Sequence, residues 1–115
     1  MLNMDSTSFA TASADTVDIV FAAAAAQRWS IGGLAFSFEG GEISSAAILS
    51  IFAATTAGSI FMQVDIGDTA STYESQTIVP AEPFKFPANT ALHFELGDGG
   101  TGVVGKLTIL GHKLV

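Results

Sequence analysis

From Thr16 onward, apolar side chains return at every second position, the period of a half-buried β-strand. Residues 16–21 put Val17, Ile19 and Phe21 on one face. Residues 27–38 place Trp29 and Ile31 on one face, break at Gly32-Gly33, and resume with Leu34, Phe36 and Phe38. Paired glycines inside a strand mark a bulge or a close backbone approach. Residues 46–53 and 59–66 are two more strands; in the second, Ile60, Met62, Val64 and Ile66 alternate with Phe61, Gln63 and Asp65. Residues 90–96 turn Leu92, Phe94 and Leu96 one way and His93 and Glu95 the other. A last strand covers residues 103–110, and residues 111–115 close the chain as a tail.

The segments between them carry turn chemistry. Five alanines at residues 22–26 favour helix, but they make under two turns, so a loop or short turn is expected. Glu39-Gly40-Gly41-Glu42 and Gly97-Asp98-Gly99-Gly100-Thr101-Gly102 are turns. Residues 67–75 are polar and read as an exposed loop. Pro80 and Pro83 confine residues 76–86 to an edge strand or a loop. About seven or eight short strands with turns at regular spacing predict an all-β fold, a single antiparallel β-sandwich. Eight strands in two facing sheets would make it jelly-roll-like. Residues 1–15 are Ser-, Thr- and Ala-rich, with isolated Leu2, Met4 and Phe9. They are read as an extended N-terminal arm before a sandwich domain over residues 16–115. Those three apolar residues could anchor the arm on a neighbouring subunit, as interface positions; a frayed terminus fits equally well.

Composition changes the picture in one respect. The 115 residues are 49% hydrophobic and only 13% charged, against roughly 25% charged in ordinary soluble domains. Either much of the exterior is covered by partners, or the chain sits in a membrane. Residues 43–64 carry no charge and are long enough to cross a bilayer. However, polar residues interrupt them, no Lys or Arg flanks them, and Thr55-Thr56-Ala57-Gly58-Ser59 reads as a turn. Two strands joined by a turn explain this stretch better than one helix. The N-terminus has Asp5 and Asp15 and no apolar block, so no signal peptide is expected there. With 49% hydrophobic residues the chain is not disordered, and with no cysteine it has no thiol chemistry. The net charge is −7, and Arg28, Lys85, Lys106 and Lys113 are the only basic residues besides two histidines. Neither nucleic acid nor an anionic membrane surface is an expected partner.

Candidate chemistry is sparse. His93 and His112 could hold a metal if they converged with Glu95 or Asp98, but ordinary surface or interface histidines are expected. Asp65-Ile66-Gly67-Asp68 starts like a calcium loop, but its ligand ladder stops after Asp68. The glycine-rich run at 97–102 is followed by strand residues, so a hairpin connection is expected instead of a phosphate cradle. Paired carboxylates for glycoside hydrolysis need a groove that sequence does not define. No catalytic residue, cofactor or metal is therefore assigned, and the chain is expected not to be an enzyme. Trp29 and Tyr73 are the lone residues of their types, few for a sugar-stacking site; Trp29 is expected in the core near the glycine bulge.

Three stretches resemble small β-sandwich virion proteins of tailed bacteriophages. The first is the Ala-rich turn feeding Gln27-Arg28-Trp29-Ser30-Ile31-Gly32-Gly33-Leu34-Ala35-Phe36-Ser37-Phe38. The second is Pro83-Phe84-Lys85-Phe86-Pro87-Ala88-Asn89-Thr90-Ala91-Leu92, and the third is Gly99-Gly100-Thr101-Gly102-Val103-Val104-Gly105-Lys106-Leu107. The resemblance implies a capsid cement or decoration protein: a homo-oligomer, expected as a trimer, bound to the major capsid protein on the exterior of the head. The region before Thr16 departs from the pattern. Related sandwiches also occur in head fibres and tail appendages, so the alternative is a module that binds host surface glycans.

Overall fold

The computed structural model describes residues 3–13, 15–23, 25–26, 28–40, 47–53, 59–67 and 76–114. These residues form strands β1 (Asn3–Ser13), β2 (Val17–Phe21), β3 (Arg28–Glu39), β4 (Ala47–Ala53), β5 (Ser59–Gly67), β6 (Gln76–Ile78), β7 (Phe84–Lys85), β8 (Leu92–Leu96) and β9 (Val104–Leu114). One sheet runs β1-β9-β3-β6 with β7 also on β3; the other runs β2-β8-β4-β5. All pairings are antiparallel. β6 pairs with Leu34–Phe36 and β7 with Ser30 and Ile31, so both lie on one edge of β3. Pro80 and Pro83 fall in the gap, where proline's missing N–H costs the ladder nothing. Taken as one interrupted strand, β6 and β7 complete an eight-stranded antiparallel sandwich with jelly-roll connectivity.

Alternation sets the two layers. The β8 side chains Leu92, Phe94 and Leu96 are wholly enclosed, and Val17, Ile19 and Phe21 of β2 face them. Leu34, Phe36, Phe38, Leu107 and Ile109 fill the core from the other sheet. Burying each such side chain contributes roughly 1.5–3 kcal/mol. The ladder shifts register between Ile31 and Gly33, so the glycine pair does mark a bulge. Ala25 and Ala26 lie in a turn, with Ala26 at φ 61°.

Three expectations are corrected. Residues 3–13 are not an arm apart from the domain. They form β1 and pair with β9 over its whole length, so they belong to the sheet and the sandwich begins before Thr16. Residues 111–114 are not a tail, because β9 continues through Leu114 against β1 and β3. Ile60 does not share the face of Met62 and Val64. A register shift between Ile51 and Phe52 sets Ile60 opposite Phe52, where it is 54% exposed. That shift leaves Phe61 as the extra residue, and its ring meets Phe84 and Phe86 edge-on at 5.1 and 4.9 Å. Phe61 thereby bridges the two sheets at one border. β4 and β5 form a hairpin-like pair, and no helix among the described residues is long and apolar enough to cross a membrane. The residues between these two strands, 54–58, lie outside the described residues.

Candidate functional site

The outer face of the β2-β8-β4-β5 sheet carries the surface of most interest. Antiparallel register sets Val20, His93, Phe52 and Ile60 side by side across all four strands. Val20 is 56% exposed, and Ile48 lies exposed further along β4. The outward faces of most strands are polar because water meets them; here one lateral row is uncharged apart from its histidine. Nδ1 of His93 is enclosed and has no hydrogen-bond partner among the described residues. Buried polar atoms are ordinarily paired, so this atom marks the row as an unusual environment.

The neighbouring row is polar. Asp18, Glu95, Ser50 and Gln63 stand in register across the same four strands. The side-chain amide of Gln63 donates to the Ser50 hydroxyl at 3.3 Å, which accounts for a serine that is almost wholly covered. Glu95 is held above the ordinary carboxylate value, first by burial and then by the facing Asp18 carboxylate; His93 pulls it the other way.

On the opposite sheet, a shallow groove of about 260 Å³ runs over the glycine bulge. Its floor is Gly32, Gly33 and Ala35, and its walls include Val79 and Leu110. It is apolar and offers threonine hydroxyls but no charged group.

The sequence-derived candidates do not converge. His93 points out from one sheet and His112 lies on the outward positions of the other, so no shared metal site forms between them. Among the described residues no cluster of three potential metal ligands exists. Asp98 is taken up by its own turn, where Oδ1 accepts the Gly100 N–H at 2.8 Å. Gly100 and Gly102 adopt positive φ and strand β9 follows, but β8 and β9 belong to different sheets, so the expected hairpin connection is corrected: this run crosses from one sheet to the other. Asp65 lies on β5, while Asp68 and Tyr73 lie outside the described residues. Trp29 is buried against Phe21, with ring centres 4.5 Å apart. Leu2 also lies outside the described residues; Met4 and Phe9 stand on β1 in register with Lys113 and Thr108. Sequence reasoning missed the outward Val20-His93-Phe52-Ile60 row. Its members are far apart along the chain, and only register aligns them.

No family model matches the chain, and no curated protein does. Among solved structures, the chain is similar to an arabinose-bound α-L-arabinofuranosidase at 16% identity and a TM-score of 0.39, covering 87% of this chain and 17% of the enzyme. It is also similar to the virus-like particle protein of extra small virus from the giant freshwater prawn Macrobrachium rosenbergii. That match has 9% identity and a TM-score of 0.38, and covers 98% of this chain and 80% of the viral one. Overlaps this loose carry neither activity nor partner to this chain.

Proposed function

We propose that the protein is a non-enzymatic structural component of a virion, a cement or decoration protein. In this reading it binds as an oligomer to the outside of a tailed-phage head and stabilises the shell by holding subunits of the major capsid protein together. The observation that carries the reading is the row Val20-His93-Phe52-Ile60, apolar but for its histidine, on an outward sheet face, in a chain with 13% charged residues. A surface of this kind gains roughly 25 cal/mol for each Å² of apolar area it covers on docking. Jelly-roll connectivity and the resemblance of residues 27–38, 83–92 and 99–107 to phage virion proteins support the setting. The physical effect is mass action: a protein that binds the assembled shell and not its parts shifts the equilibrium toward the shell.

Particles with and without the protein, heated in parallel, test this. The expected result is earlier loss of shell integrity in its absence. Equal survival of both would overturn the cementing role. A Val20→Asp, Ile60→Asp variant is expected to keep its β-type circular dichroism and to lose co-sedimentation with shells.

A further inference from the structure

Among the described residues, charge is segregated by end. Core contacts define the two ends. At one, a Cβ on Gly105 would meet Val17 and Leu96 of the facing sheet and Phe38 of its own, so these residues share a level. Next to them along the strands stand Asp18, Glu39 and Glu95, with Asp15 just before β2 and Asp98 just after β8. The one base at this level, Lys106, is tied to Glu39 at 2.7 Å. At the other end, Phe21 packs on Trp29 and against Gly111. Here lie Arg28 at the start of β3, Lys113 opposite Trp29, and Lys85 opposite Ser30. Lys113 sits with its ammonium 5.2 Å from the Trp29 ring centre. Asp5, opposite His112 on β1, is the acid that register places at this basic end, and Glu82 lies in the link between β6 and β7. Arg28 and Glu39 are the two ends of one 12-residue strand.

A strand of that length spans about 36 Å at some 3.3 Å per residue. The Debye length is about 10 Å at 0.1 M salt. On the five-residue β2, Asp18 stands only three positions, about 10 Å, from Phe21, but Arg28 and Glu39 of one molecule are screened from each other and gain nothing from their opposite signs. Only contact between molecules can bring them within a Debye length.

We propose that copies of this chain associate with the basic end of one, carrying Arg28, Lys85 and Lys113, against the acidic end of the next, carrying Asp15, Asp18 and Glu95. The partner is a second copy of this chain. The contact joins two different patches, so it is heterologous, and its repetition gives a ring where the rotation between copies closes and an open filament where it does not. This deepens the reading of the protein as an assembling component by stating how its copies meet. Asp18 and Glu95 stand in the row next to Val20 and His93 on the same face, so the contact borders the apolar row.

The test uses the isolated protein, without shells, so that its failure is separate from failure of the cementing role. Mass is measured by sedimentation at about 0.1 M and at about 1 M salt, where the Debye length falls to about 3 Å. Two variants are compared: Arg28→Glu with Lys85→Glu, and Asp15→Lys with Asp18→Lys. All four side chains are exposed, and circular dichroism checks the fold of each variant. The expected result is association at the lower salt that is lost at the higher. Each variant alone should associate about a hundredfold more weakly, because like charges then face each other. An equal mixture of the two should recover association. A monomeric wild type at the lower salt, salt-independent association, or variants that assemble like the wild type would each overturn the proposal.

Discussion

The ring of Phe21 occupies the space that a Cβ on Gly111 would need. One residue lies on the last position of β2 and the other late in β9, so the contact joins the two sheets. Glycine is required at 111 by packing and not by conformation. Gly111→Ala is therefore expected to cost roughly 1–3 kcal/mol, the usual penalty for overfilling a packed site. In a Phe21→Leu background the same change should cost clearly less, because the clash is gone. Denaturant unfolding of the four proteins of this cycle measures the coupling. Additive effects would show that Gly111 does not meet Phe21.

That contact also explains why part of the fold was hard to read in advance. Gly111 looks like the end of a strand, yet β9 runs on through it because a glycine is what the facing ring permits. β1 was hidden for another reason. Asn3–Ser13 has no apolar alternation, and it becomes a strand because β9 offers a full-length edge to pair with. By contrast, Leu92–Leu96 was legible, since every second residue is fully buried as its pattern requires. The bulge at Gly32-Gly33 was legible too. The outward row and the segregation of charge were not, since Val20, Phe52 and His93, or Arg28, Lys85 and Lys113, meet only through register.

Trp29 reports on the basic end of the sandwich. Its indole N–H donates to the Ala22 carbonyl at 3.1 Å, and its ring carries the Lys113 ammonium. Trp29→Phe keeps most of the buried ring and loses the hydrogen bond, so a loss of about 1–2 kcal/mol is expected. Lys113→Met removes the charge over the ring and should cost about 0.5–1 kcal/mol. Circular dichroism follows the unfolding of Trp29→Phe, which has no tryptophan left, while in Lys113→Met the emission of Trp29, the only tryptophan, reads unfolding directly. A Lys113→Met protein with unchanged stability and unchanged emission would argue against the stacking.

Two turn glycines should respond differently to alanine. Gly40 has φ +92°, and a Cβ there would come within 2.8 Å of the Gly102 carbonyl oxygen. Gly102 has φ +76° but faces open space. Both substitutions pay for the left-handed backbone, roughly 1–2 kcal/mol. Gly40→Ala adds a clash with backbone that cannot swing aside. It should therefore unfold at clearly lower denaturant than Gly102→Ala. Gly102→Asn should lie nearest the wild type, since asparagine tolerates this region. Equal losses at 40 and 102 would mean that the approach of Gly40 to the Gly102 carbonyl carries no weight.

Glu95 gives the fold a pH dependence of defined sign. Burial and the facing Asp18 carboxylate raise its folded value above the 4.5 of a free glutamate side chain. Between the unfolded and folded values, the native chain keeps a proton that the unfolded chain has released. Stability therefore falls as pH rises through that window, the reverse of a carboxylate held by a salt bridge. Glu95→Gln removes the cost of burying the charge and the repulsion with Asp18. Its advantage over the wild type should be smallest at about pH 4 and should grow as pH rises above the free-glutamate value. Asp18→Asn removes only the second cause and should flatten the slope in part. Unfolding measured over a pH series, with the Glu95 carboxyl followed by NMR, checks both. A Glu95 titrating at or below the free value, with no pH-dependent gain in Glu95→Gln, would contradict the crowded acidic row.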